Sequence, residues 1–367
     1  MARSLVEAGV AIDVATTDDD GPGKRVAFPL GQRVEPHGYR TFFFRKQTEF
    51  YKVSLPLRSW LKQHVTAYDL VHVHALFSYA STSAAHLARQ TSTPYIIRPL
   101  GALNRWGRQH RRRVLKALSL RFIEGPILRH AAAMHYTSDR ERADAEEAGA
   151  CAPGFVVPLG IDLPSLASPP GPERFLERWT AARGREVVLF LGRFAPIKGL
   201  ARLLTAFAQV KAKQPRALLV LAGQGDPVFT EGLRRQSTAL GLDGDVVWTG
   251  YLDGEEKLAA LTAATVFVLP SDSESFGLVV AEALACGVPV ITTRGTPWQE
   301  LETHRCGWWV EVGAEPLLGA LRMALGTSAE ERRELGRRGR QLVKSKYTWP
   351  RAGEQIKAMY EQVLGSW

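Results

Sequence analysis

The 367-residue sequence predicts two doubly wound α/β domains in tandem. The first observation behind this is alternation. Strand-length apolar runs at Asp69–His74, Tyr95–Ile97, Ala132–Tyr136, Val187–Leu191, Leu218–Ala222, Val246–Thr249 and Val266–Leu269 are separated by helical segments. Runs that are apolar throughout suit parallel strands covered on both faces. The second is a break from Pro164 to Pro172, after which the alternation starts afresh. The third is size: the chain is long enough for two cores, and 45% hydrophobic with 23% charged residues is ordinary globular composition.

The chain opens on Met1–Gly9, which reads as the end of a helix closed by glycine, followed by a strand at Val10–Thr16. An α/β domain normally places a strand before this point, so the first strand and its loop are expected upstream of Met1 or absent. A polar loop covers residues 17–24. Short strands are expected near Arg25–Phe28 and Thr41–Phe44, with a helix across 50–66. His74 ends the strand at 69–74, and helix 79–90 follows. The strand at 95–97 leads into a loop from Arg98 to Asn104. Ser138 is placed to cap one helix and Gly149 to end it. Val156–Asp162 closes the first half. In the second half, helices are expected at 200–213, 229–240 and 254–263. The resulting division is 1–164, 165–346, and a final segment 347–367 whose amphipathic helix is free to pack back on the first domain.

Composition excludes several classes. Three cysteines, Cys151, Cys286 and Cys306, lack zinc or disulfide spacing and fit a reducing compartment. No metal is expected. No apolar run approaches the ~18 residues of a membrane span, and no signal-peptide core is present. A net charge of +10 favours anionic partners. Between Arg105 and Lys116 the basic residues Arg105, Arg108, Arg111, Arg112, Arg113 and Lys116 stand beside Val114, Leu115, Leu118, Leu120, Phe122 and Ile123. Three readings stay open for this stretch. It lies on an anionic membrane surface, meets a pyrophosphate, or is a solvated basic face over a buried apolar stripe.

The chemistry concentrates in the second half. Arg193 and Lys198 sit in the loop Gly192–Gly199 at the carboxyl end of the strand that opens this domain, where ligands of open α/β sheets bind. A guanidinium and an ammonium there neutralise a diphosphate. The loop is no Walker A, since Lys198 precedes its glycine and no Ser or Thr follows. Downstream, the strand Val266–Leu269 is followed by a loop with Glu274. A helix then starts at Phe276, Gly277 and Leu278, carries Glu282 and closes at Gly287. Free amides at a helix start suit phosphate, and a carboxylate suits a ribose diol. The plain alternative is that Glu274 caps a helix and Glu282 is solvated.

These motifs together, Gly192-Arg193-x4-Lys198-Gly199 and Glu274-x7-Glu282, resemble the donor signature of family-4 (group 1) retaining glycosyltransferases. Asp69–His74, Pro158–Asp162 and Leu221–Asp226 resemble further family landmarks in order. Pro297-Trp298 and Cys306–Trp309 resemble a bacterial polysaccharide-assembly branch, in exopolysaccharide or lipopolysaccharide synthesis. The resemblance implies a GT-B fold, two Rossmann-like domains facing a central cleft. It implies a nucleotide-sugar donor as co-substrate, with no cofactor or metal. Arg193 and Lys198 would hold the diphosphate and stabilise the leaving group. Glu274, with the amides of Phe276, Gly277 and Leu278, would position sugar and phosphate. Glu282 would bind the ribose, and Tyr251 and Leu252, after Gly250, would lie near the base. Many relatives carry a His-Gly where this chain has Arg98-Pro99-Leu100-Gly101, which makes Arg98 and His74 secondary catalytic candidates. The acceptor is expected to be a lipid-linked sugar or oligosaccharide, used at the inner face of the cytoplasmic membrane.

Two alternatives remain. A sugar-nucleotide epimerase of the same fold would form product without an acceptor. A non-catalytic homologue would bind sugar-nucleotide or membrane without turnover. Nucleic acid ranks last, because the basic residues are dispersed and no reader motif occurs.

Overall fold

The computed structural model describes residues 1–21, 23–110, 113–162 and 169–367, without the side chains of Gln109 and His110. Residues 164–168 of the expected linker lie outside the described residues, as do Leu163 before it and Arg111 and Arg112 of the basic stretch. The chain divides into two compact units. One is Met1–Gly160 with Trp349–Trp367, and the other is Ile161–Thr348.

In the first unit, β1 (Asp13–Thr17), β2 (Arg33–Val34) and β3 (Arg40–Phe44) form one small sheet in the order β1-β3-β2. β4 (Val71–His74), β5 (Tyr95–Arg98), β6 (Ala133–Tyr136) and β7 (Gly154–Val156) form a second, wholly parallel sheet in sequential order. Among the described residues no strand joins β1 to β4, and both are only partly buried for most of their length. One core still runs beneath both sheets, with Phe44, Val73, Leu76 and Ile97 buried together and Ala15 and Phe42 packed on them. Tyr68 just before β4 donates to Asp13 Oδ2 of β1 at 2.6 Å.

Two expectations need correction here. No strand forms at Arg25–Phe28. Arg25 makes only an isolated bridge with Asp19, Val26 N donates to Asp18 O at 3.0 Å, and the Arg25 guanidinium pairs with Asp18 at 3.0 Å, so the segment is tied down at single points rather than by a ladder. The helix expected over 50–66 begins only at Leu55 and its α-helical part ends at His64. Tyr51 and Lys52 have positive φ, Ser54 accepts from Leu57 N as the cap, and Pro56 sits in the first turn.

The last helix, Trp349–Ser366, belongs to the first unit. Its Ala352, Ile356, Met359, Tyr360 and Val363 pack against Leu5, Ile96, Ala133 and Val157. A directional chain of hydrogen bonds accompanies this packing. His135 Nε2 donates to Val157 O at 3.3 Å, which leaves its Nδ1 to accept from His72 Nε2, also at 3.3 Å. His72 Nδ1 then accepts from Tyr360 Oη at 2.6 Å. The chain works only while both rings are neutral. Burial, then the nearby Arg98, push His135 down to about 3, and burial drives His72 well down too. A buried histidine held below its unfolded value of 6.5 contributes its full stability above that value and loses it as the pH falls. For the fully buried His135 alone, the loss at pH 5 is about 2 kcal/mol. We therefore expect the protection factors of β4–β6 amides, exchange rates divided into their intrinsic rates at each pH, to fall steeply between pH 6.5 and pH 5, and His135→Gln to flatten that dependence whatever its effect at neutral pH. Equal slopes would remove the histidines as the cause.

The second unit is one parallel sheet in the order β10-β9-β8-β11-β12-β13. Its strands are β8 (Glu186–Leu191), β9 (Ala217–Ala222), β10 (Val246–Gly250), β11 (Val266–Leu269), β12 (Val290–Thr293) and β13 (Gly307–Val310). β9, Ala-Leu-Leu-Val-Leu-Ala, is buried at every position because helices cover both faces. The chain starts at the centre with β8, builds outward through β9 and β10, and returns to β8's other side with β11. The winding therefore reverses between β8 and β11, and the carboxyl ends of those two strands border the crevice where such sheets take ligands.

Candidate functional site

The loops after β8 and β11 are pressed together by their backbones. Asp272 N donates to Ile197 O at 2.8 Å, and Arg202 Nη2 donates to Pro270 O at 3.1 Å while pairing with Asp272. Between them stands Gly199 at φ +70, where an added Cβ would lie 2.1 Å from Pro270 O. Glycine is required twice over at this position, by its conformation and by the approach.

Lys198 ends a single tight turn, Pro196–Lys198, which sends its side chain across to β11. There its Nζ pairs with Glu274 Oε1, which also accepts from Ser271 Oγ at 2.8 Å. The Glu274 amide donates to Gly295 O at 3.0 Å, fixing that loop from the far side. Arg193 is exposed, and no ion pair engages its guanidinium among the described residues. Glu282 lies on the helix Leu278–Ala285 and pairs with Lys257 at 2.9 Å.

That helix begins at Gly277, φ +81, and no side chain caps it. The amides at its start have no side-chain cap, although Val280 N donates to Gly277 O at 2.9 Å, and the positive end of the helix stands behind them. Phe276 is buried beside Trp298 and Tyr347, and its carbonyl accepts from Trp298 Nε1 at 2.6 Å. The aromatic cluster thus sets the direction of the turn into the helix. Leu278 is exposed. After β10, Tyr251 is exposed and Leu252 buried.

Beside Arg193 opens a crevice of about 350 Å³, lined by Phe194, the turn Gly223–Gly225, Arg234, Trp248 and Gly250 among others. The Arg234 guanidinium lies 4.7 Å over the Trp248 ring, and Phe194 meets Trp248 edge-on at 5.9 Å. The second unit therefore collects Arg193, Lys198, Glu274 and Gly277 on two facing loops, with Glu282 one turn further along the helix. The sequence reading passed over Lys257, Ser271 and the Trp248–Arg234 plate. Lys257 alone left a signal, standing seven residues after Gly250 on the helix that follows β10.

The other two candidates lie in the first unit, paired in register at the carboxyl ends of β4 and β5. Arg98 is the last residue of its strand rather than part of the loop. It is buried, with an unpartnered Nε. Burial, then Arg98, push His74 down to about 3, so at neutral pH its ring is uncharged. Among the described residues no three His, Cys, Asp or Glu side chains cluster as a metal site would.

Residues 1–160 match the family model "Glycosyl transferase 4-like domain", and 173–342 match "Glycosyl transferases group 1". The chain belongs to the family-4, group 1 glycosyltransferases. A Mycobacterium tuberculosis relative, the GDP-mannose-dependent alpha-(1-6)-phosphatidylinositol dimannoside mannosyltransferase, is 27% identical over 278 residues, 71% of this chain and 70% of that one. Of several other curated relatives the chain spans about half the length. Sucrose-phosphate synthase from Thermosynechococcus elongatus superposes with TM-score 0.77 at 24% identity, covering 99% of this chain and 92% of that one. An Anabaena HepE structure with UDP-glucose gives 0.75 at 18%, covering 95% and 99%. These two likenesses carry the GT-B fold to this glycosyltransferase.

Proposed function

We propose that this glycosyltransferase moves a sugar, with retention at the anomeric carbon, from a nucleotide-diphosphate sugar to a lipid-linked or oligosaccharide acceptor. One observation carries the reading: an arginine with no ion pair among the described residues, a Lys–Glu pair and a helix start without a side-chain cap converge where the winding of the sheet reverses. As the bond from the anomeric carbon to the diphosphate breaks, the electron pair leaves with the phosphate. Arg193, Lys198 and the helix amides stabilise that charge. The acceptor oxygen bonds to the anomeric carbon, and its proton ends on the departing diphosphate. Glu274, steadied by Ser271 and Lys198, positions the sugar. Glu282 accepts from the ribose hydroxyls, and the Gly250–Leu252 loop borders the base.

The names of similar proteins support the substrate classes. The mycobacterial relative is named for GDP-mannose and a phosphatidylinositol mannoside, and the Anabaena structure holds UDP-glucose. We place the reaction at the inner, anionic face of the cytoplasmic membrane, in cell-surface polysaccharide synthesis. No helix among the described residues is long and apolar enough to cross a membrane. A thermal-shift panel with UDP, GDP, ADP and their sugar conjugates tests the donor. A ligand at ~100 times its dissociation constant stabilises by about 2.7 kcal/mol. One base class is expected to raise the midpoint, and Arg193→Ala to abolish the rise. No shift and no transfer or hydrolysis with any donor would end the proposal.

A further inference from the structure

The segment after the first arginines is turned inside out relative to an ordinary amphipathic helix. The helix Arg113–Ser119 buries none of its residues, and the π-helical turn Leu120–Glu124 that continues it buries only Glu124. Val114, Leu115, Leu118, Phe122 and Ile123 are instead 63, 54, 50, 68 and 41% exposed. The first four recur at i, i+1, i+4 and i+8, the spacing of a single helical face. Soluble proteins scatter exposed apolar residues singly, so a contiguous row of this kind marks a contact surface. Its charge indicates what it contacts. From Arg105 to His130 the sequence holds seven arginines and one lysine, and its only acidic residue is Glu124. That carboxylate is fully buried, accepting from Phe77 N at 3.1 Å and Tyr51 Oη at 3.2 Å, and so neutralises nothing at the surface. From outside the stretch Glu147 meets Arg108 at 3.4 Å and Arg105 at 4.0 Å, one carboxylate against the eight cations. Arg113, Arg121 and Arg129 have no carboxylate partner among the described residues. Beside the apolar row a crevice of about 410 Å³ is lined by Arg108, Arg113, Val114, Lys116, Ala117 and Leu120, cations above an apolar floor.

We infer that residues 113–123 insert into an anionic bilayer. Val114, Leu115, Leu118 and Phe122 enter the acyl boundary, and the crevice takes a lipid phosphate between Arg108, Arg113 and Lys116. The inference rests on the membrane-face reading of the function and replaces its basic contact at 105–116 with an apolar insertion. An ammonium or guanidinium alone gives adsorption, whereas buried apolar area adds retention at higher salt.

The test uses the full chain and co-sedimentation with phosphatidylcholine vesicles, with and without phosphatidylglycerol. Binding is expected only with phosphatidylglycerol. Leu118→Asp and Phe122→Asp, both at exposed positions, should each weaken it about tenfold or more, the scale of one large side chain removed from an apolar environment. Phe122→Trp should show a blue-shifted emission on those vesicles. Equal binding by the aspartate variants, or equal binding to neutral vesicles, overturns the inference. So does a concentration-dependent dimer that Leu118→Asp dissolves without any vesicle binding. The donor-induced thermal shift, measured on the same variants, separates a failure here from a failure of the donor reading.

Discussion

Arg193→Ala lowers kcat/KM for sugar transfer by roughly 10²–10³-fold, the scale of losing one preorganised donor to a developing anion, and leaves the donor-free thermal midpoint unchanged. The two halves of this expectation have separate causes. Arg193 is exposed and has no ion-pair partner among the described residues, so its removal breaks nothing in the fold, and substitutions of that kind stay within about 0.5 kcal/mol. On the proposed mechanism it holds the diphosphate both when bound and when leaving, so the loss falls on kcat as well as on KM. Lys198→Ala behaves differently. It strands Glu274, which keeps Ser271 but loses its counter-charge, so activity falls at least as far and donor-free stability falls too. Glu274→Gln on top of Lys198→Ala should recover stability but not turnover. Steady-state kinetics and thermal unfolding of the four proteins check this. An Arg193→Ala enzyme with wild-type kcat would remove the arginine from the mechanism.

The legible and illegible parts of this structure divide by range of interaction. Alternation of apolar strand runs reports a property of each segment alone, and it located β4 to β6 and β8 to β11 within a residue or two. The loop after β8 and the turn at Phe276–Leu278 were legible for the same reason, since glycine and strand ends are local signals. The region from 18 to 54 was not, apart from the strand expected at Thr41–Phe44 and found at Arg40–Phe44. Asp18, Asp19, Arg25 and Lys46 hold it through side-chain pairs between residues far apart in sequence, and no periodicity announces them. Lys257 escaped notice because its partner Glu282 lies on another helix. The exposed row at 114–123 was hidden by a sound prior: Val, Leu and Phe at helical spacing usually face a core.

Gly199→Ala is expected to destabilise the second unit by about 2–4 kcal/mol and to eliminate the donor-induced thermal shift. Its backbone is left-handed, and an alanine Cβ would stand 2.1 Å from Pro270 O. The clash falls on backbone, which no rotamer change relieves, so the loops after β8 and β11 must part. Parting them breaks the Asp272 N to Ile197 O bond at 2.8 Å and draws Lys198 away from Glu274. Gly295→Ala probes the same seam from β12, since its Cβ would meet both Ser271 O and Asp272 O at 2.4 Å, and it should reproduce the effect. Gly241→Ala supplies the contrast. Gly241 has φ +69 but nothing within 4 Å of an added Cβ, so only the left-handed strain of about 1–2 kcal/mol applies and the donor shift survives. If Gly199→Ala resembles Gly241→Ala in both measurements, the close approach of the two loops is not what builds the donor site.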